Sequence, residues 1–404
     1  MTVPARPRDP PARISPWELL GLALVAQVTV SLVTQGVPTL APFLQEDLAL
    51  TRGEVGLFNS AIMAGSFVAL FYAGSLVDLK GERAALVWGN VLVGVSCLAT
   101  LAAPDFASAL AVFFVTGIGA SFATPAGSRT VMRWFAPGRR GTAMGVRQTG
   151  IPLGGALAAA ALPLVALAAG WRWAIVVSGI ANLVGAAVCA WRYPAPTLTE
   201  RAAARAAPSY GFRELLTRDI LLLGLAGALL PLGQFALVTY LAIYLRETQN
   251  IPVTTSALLL VGAQIAGAAG RLSWGVWSDR VFRGRRKPAL MAAGAFSALG
   301  SLLLGWVPDG TPWWAIGLLV VAYAFNAIGW HGSWIALVSE IAGPDKQGRT
   351  IGVAMTVMYA GIILLPPLFG VFVDLTHHWA AAWSLLAIGL MAGTVLVAPV
   401  REPA

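Results

Sequence analysis

The sequence predicts an all-α, polytopic membrane protein with twelve transmembrane helices in two six-helix, pseudo-symmetric halves. Three observations carry that prediction: an apolar composition, a regular recurrence of long apolar runs, and basic residues confined largely to one side. Of 404 residues, 57% are hydrophobic and 11% charged, against roughly 45–50% and 25% in soluble domains. Lipid is the solvent that suits such a composition.

A spanning helix takes about 20 mostly apolar residues. Runs of that kind, parted by charged or Pro/Gly-rich breaks, cover 18–42, 54–77, 84–103, 106–132, 141–168 and 172–192. A second set covers 219–245, 254–279, 288–307, 312–339, 349–373 and 379–399. The longest polar break lies between the sets. The expected domains are an N-terminal segment 1–17, a bundle 18–192, a linker 193–218, a second bundle 219–399 and a tail 400–404. The leading apolar run shows no small-residue cleavage site, so the first span is expected to stay as an anchor.

A formal charge of +9 raises the question of nucleic acid. The positions of the charges answer it. With the N-terminus inside, 21 of the 27 Lys and Arg residues fall on that face; Arg52, Arg172 and Arg246 fall on the other, and Arg129, Arg147 and Arg271 lie within spans. This positive-inside pattern predicts a multi-pass protein of the plasma or inner membrane with both termini cytoplasmic. No nucleic-acid partner is expected. Cys97 and Cys189 fall near opposite membrane faces, too far apart for a disulfide.

The halves echo one another. Gly74-Ser-Leu-Val-Asp78-Leu-Lys80-Gly81-Glu-Arg83 follows helix 2, and Gly275-Val-Trp-Ser-Asp279-Arg280 with Gly284-Arg285-Arg286-Lys287 follows helix 8. Arg140-Gly141-Thr142 opens helix 5 as Gly348-Arg349-Thr350 opens helix 11. Parallel repeats characterise transporters that rock two halves about a central site. These motifs resemble the major facilitator superfamily, and the resemblance covers essentially the whole chain. Gly145-Val-Arg147-Gln148-Thr-Gly150-Ile-Pro152-Leu-Gly154-Gly155 is similar to the cyanate-permease-like branch. Arg271-Leu-Ser-Trp-Gly275 is similar to the helix 8 arginine segment of monocarboxylate transporters. One departure is Phe113, which stands where the family's drug/proton antiporters usually carry an arginine before Gly117-Ile-Gly119.

A charge inside hydrocarbon costs about 2.5–3.5 kcal/mol on insertion scales, so one that persists faces a cavity or a partner. Arg271 lies nine residues before Arg280 and Arg147 seven after Arg140, roughly 13 and 10 Å inside the membrane edge at about 1.5 Å per residue. None of the 18 carboxylates lies deep in a span. An anionic solute is therefore expected at the two guanidinium groups. The alternative reading has them bond to backbone carbonyls or brace a gate. Gln148, Gln264, Gln35, Thr34, Tyr240, Asn326 and Trp330 are candidate supporting contacts, with interhelical packing as the alternative for each. His331, the one histidine inside a span, is a candidate carrier of a coupling proton.

Asp78, Lys80, Arg83, Asp279 and Arg285 sit at helix ends on the inner face, where carboxylates can meet helix N-termini and basic side chains. The family resemblance implies that they latch that face shut. Arg129 and Glu340 are expected to join this gate. The sequence carries no phosphate loop, metal-ligand cluster or paired nucleophile. The expectation is a non-enzymatic, cofactor-free secondary active or facilitative transporter, monomeric, moving a small anion such as a monocarboxylate, as a uniporter or symporter, by alternating access. An efflux antiporter for amphipathic compounds and a non-transporting membrane sensor are the alternatives.

Overall fold

The computed structural model describes residues 14–135, 137–195, 212–342 and 347–402. Every regular element among them is helical. Twelve helices are long and apolar enough to cross a membrane. Spans 1 to 6 are Pro16–Thr39, Arg52–Leu70, Lys80–Ala102, Phe106–Val131, Ala143–Ala169 and Trp171–Arg192. Spans 7 to 12 are Arg218–Gln249, Val253–Arg280, Arg286–Gly305, Trp313–Ala342, Thr350–Thr376 and Trp379–Val397. Most of the expected linker 193–218 and of the segment 1–17, and the last two residues of 400–404, lie outside the described residues. An even number of crossings puts the starts of spans 1 and 7 on one side, the terminal face; the opposite side is the distal face.

Local chemistry sets where helices begin. Ser15 with Glu18, Thr51 with Glu54, and Asp105 with Ser108 form reciprocal capping boxes ahead of spans 1, 2 and 4, each satisfying backbone N–H groups that a helix start leaves open. The sequence places a loop between 77 and 84, and the structure shortens it. Two helices meet at a sharp kink, where Gly81, at φ 83° and ψ 172°, is the one non-helical residue between Arg52 and Ala99. Only glycine takes that conformation without strain, so the chain changes course at a single position.

Several spans are broken near mid-depth, and proline explains most of the breaks. A proline has no N–H for the carbonyl four residues earlier. Pro38 thus frees the carbonyl of Thr34, where span 1 is interrupted at Gln35; Pro125 frees Ser121 at the interruption of span 4; Pro152 frees Gln148 at the interruption of span 5. Span 7 breaks at Leu230, next to Pro231. Span 10 breaks at Trp330, between Gly329 and Gly332.

The apolar interior shows how the halves meet. On the distal side one cluster joins residues of both, including Val37, Phe58, Tyr240, Leu241 and Trp383. On the terminal side there are two clusters, one per half: Leu19, Ala85 and Trp134 in the first, Leu223, Trp274 and Trp334 in the second. The buried apolar core is thus shared by the halves distally and divided between them terminally. Around the outside, Leu164, Val184, Ile265, Leu318 and Ile388 are all at least half exposed, an apolar belt fit for lipid.

Candidate functional site

The two arginines in the spans approach the middle from opposite halves. Arg147, on span 5, is 1% exposed. Its guanidinium donates to Gln27 Oε1 at 3.2 Å and weakly to the Ala123 carbonyl at 3.5 Å. It packs so closely on Gly127 that a Cβ there would stand 2.4 Å from Nε. Its Nε has no protein partner. Arg271, on span 8, donates from Nε to the Ile328 carbonyl at 3.2 Å and from Nη1 to the Gln148 carbonyl at 3.3 Å. The second bond crosses between halves, and its acceptor is the carbonyl that Pro152 leaves free. Among the described residues neither arginine forms an ion pair. Both charges therefore rest on neutral oxygens, at long distances for charge-assisted bonds.

The neighbours sort into four groups. Gln27 is hydrogen-bonded to Ser31 at 3.2 Å and forms the polar floor beneath Arg147. Gln264 is buried against Gly155 of the other half, and its Oε1 has no protein partner, as is also true of Gln35 Oε1. Gln148 and Thr34 are partly accessible at the breaks of spans 5 and 1. His331, also partly accessible, stacks on Trp334 with ring centres 5.9 Å apart and lies within electrostatic reach of both arginines.

Other expected contacts are engaged elsewhere. Trp330 is buried and spends its indole N–H on the Ala327 carbonyl at 3.0 Å. Asn326 donates one turn back to Ala322 at 2.8 Å. Tyr240 is a correction: its hydroxyl lies between the Arg52 carbonyl at 3.1 Å and the Pro366 carbonyl at 2.8 Å. That commits it to the distal closure and removes it from the surroundings of the arginine pair.

The distal closure was not foreseen. Arg52, at the start of span 2, reaches two carboxylates of the other half, Asp374 at 2.9 Å and Glu247 at 2.7 Å. Asp374 also accepts the backbone N–H of Gly53 at 2.8 Å, and Glu247 accepts the indole N–H of Trp379 at 2.9 Å. Arg246 pairs with Glu46 at 3.2 Å, again between halves. The Ser60 hydroxyl meets the Ile363 carbonyl, which Pro367 leaves free. Nearby, Trp171 and Arg172 hold the Asp47 carboxyl below its usual range by hydrogen bonding. Sequence treats these residues as loop charges, and only their opposite signs on one face hinted at pairing.

On the terminal face the charged pairs among the described residues lie within a half. Glu82, 1% exposed, is held by Arg133 at 2.9 Å and Arg129 at 3.3 Å; Arg129 also donates to the Val77 carbonyl at 2.9 Å. The sequence reading had not singled out Glu82. Arg83 donates to the Ala190 carbonyl, and Lys80 is exposed. The Asp78 side chain lies outside what is described. In the second half, Arg286 rather than Arg285 pairs with Asp279, and it also meets Glu340 at 3.0 Å. Arg285 is exposed.

Twelve spans in two halves, with a buried arginine from each near their junction, suit a solute carrier of the membrane. A family model described as Major Facilitator Superfamily matches residues 23–366, and the chain belongs to that family. It is a multi-pass membrane transporter and not an enzyme. An uncharacterised MFS-type transporter of Mycobacterium tuberculosis is 30% identical over 400 residues, covering 98% of this chain and 87% of that protein. A hexuronate transporter of Bacillus subtilis is 26% identical over 370 residues, covering 87% and 86%. A bacterial homologue of the human lysosomal transporter Spinster, solved inward-facing and occupied, shares the fold at a TM-score of 0.71 and 14% identity, covering 95% of this chain and 94% of that one.

Proposed function

We propose that the protein carries a small organic anion, such as a monocarboxylate, by alternating access, with Arg147 and Arg271 as the anion-binding groups. The observation that supports this is the pair of guanidiniums, one from each half, without a carboxylate partner among the described residues. Leaving a buried cation with only neutral acceptors is costly. A carboxylate would supply the missing charge and stronger, shorter bonds. Because the two arginines belong to different halves, one anion held by both would tie anion binding to the approach of the halves. The relative named for hexuronate, itself an anion, points the same way.

In this reading Gln148, Gln264, Gln35 and Thr34 orient the solute, and His331 carries a coupling proton. The distal pairs between the halves, Arg52 with Asp374 and Glu247 and Arg246 with Glu46, part when that face opens. The deciding experiment is uptake of labelled organic anions into proteoliposomes. Uptake is expected in the parent and lost in Arg271→Gln; a variant that takes up anions as fast as the parent ends the assignment.

A further inference from the structure

Where span 8 turns into span 9, the terminal face carries a pocket of about 910 Å³ whose lining includes neither Arg147 nor Arg271. That volume falls in the roughly 300–1,000 Å³ range of small-ligand sites. It is lined by Arg283, Arg285, Lys287, Pro288, Glu340 and Glu402, among others. Its lining holds three basic side chains and two acidic ones, an excess of one positive charge. Glu340 is engaged by Arg286 at 3.0 Å. Glu402 accepts the backbone N–H groups of Arg286 and Lys287, at the start of span 9. Lys287 rests its ammonium on the carbonyls of Ala398 and Val400, which leave its charge uncancelled. Arg283 and Arg285 are exposed, and no ion pair or side-chain hydrogen bond engages them among the described residues. Arg283 and Arg285 are thus the lining cations left open to an incoming anion.

Its position names the ligand. Leu272, Val276, Trp277 and Val281 are 40–65% exposed and make the terminal end of span 8 apolar up to the same turn. A tryptophan beside basic residues at a span end is the pattern of a membrane interface. Basic pockets between spans at that level suit anionic headgroups. We propose that this pocket binds the headgroup phosphate of an anionic phospholipid, with Arg283 and Arg285 as its principal ligands and the acyl chains along the apolar end of span 8.

The test uses the full chain, purified in detergent, with its melting temperature followed on addition of phosphatidylglycerol or of phosphatidylcholine with the same acyl chains. Phosphatidylglycerol is expected to stabilise more. In the double variant Arg283→Ala with Arg285→Ala, native mass spectrometry is expected to show about thirtyfold weaker phosphatidylglycerol binding, as for loss of two basic residues at an anionic surface. Neither side chain has a packing role, so the variant should melt near the parent without lipid. Equal stabilisation by the two lipids, or undiminished binding by the double variant, overturns the proposal. So does reproduction of the stabilisation by inorganic phosphate, which would make the ligand a free anion.

Discussion

Arg271 donates to the carbonyl of Gln148 across the junction of the halves at 3.3 Å, and that oxygen is available only because Pro152 cannot donate to it. Ser60 and Ile363 repeat the arrangement with the roles of the halves exchanged, Pro367 being the residue that cannot donate. A helix normally keeps its carbonyls to itself. Here each half offers one to the other, a contact that forms and breaks without leaving a helix hydrogen bond unmade.

Pro152→Ala should therefore act on Arg271, a residue it does not replace. Restoring the N–H lets span 5 reclaim the Gln148 oxygen, and Arg271 loses a competing acceptor. Anion binding is expected to tighten a few-fold in isothermal titration of the purified protein, and Arg271→Gln should abolish that gain. Unchanged affinity would show that the carbonyl does not compete with the anion.

Charge alone should not rescue Arg147. Arg147→Lys keeps a cation but loses the second nitrogen and the reach to Gln27. A charged hydrogen bond contributes about 1.5–3 kcal/mol, or roughly ten- to a hundredfold in affinity. The lysine variant is expected to raise the uptake KM by about tenfold or more. A KM equal to that of the parent would make Arg147 a packing residue.

Asp374→Asn should loosen the distal face, because Asp374 takes the Arg52 guanidinium and two backbone N–H groups. A cysteine at Thr239, 1% exposed beneath that closure, reports the change. Labelling of Thr239→Cys by a water-soluble maleimide is expected to speed up several-fold when Asp374→Asn is added. The native Cys97 and Cys189 are buried and give little background. Identical rates with and without Asp374→Asn would remove this carboxylate from the gate.

His331→Gln should separate driving force from movement. The ring stacks on Trp334 beside both arginines, so glutamine can fill the space without titrating. Uptake driven by a pH gradient is expected to fall to the level of passive exchange while counterflow of anion continues. Retention of gradient-driven uptake would assign coupling to another group.

Lipid makes a fold of this kind readable, since each crossing needs an unbroken apolar run; the run at 254–279 corresponds to a helix at Val253–Arg280. The turn at Gly81 was harder to see, because flanking charges look like a loop whether one residue or seven leave the helix. Arg147 and Arg271 stood out as charges in apolar surroundings. Their partners did not, since a backbone carbonyl carries no mark in the sequence. Arg52 and Asp374, 322 residues apart, meet only after both halves have packed. Arg285 and Arg286 differ by one step around a helix start, and the hydrophobic pattern does not distinguish neighbouring charges.

The distal seam has no slack. A Cβ on Gly370 would lie 2.3 Å from the Arg52 carbonyl oxygen, and one on Gly56 would lie 2.4 Å from the Tyr240 hydroxyl and 2.7 Å from the Pro367 backbone. A single methyl at either place works as a wedge, and it would jam one limb of the cycle while sparing the other. Alanine at Gly370 thus offers a way to hold the carrier with its far mouth ajar, a state in which solute arriving from that side could be caught and counted.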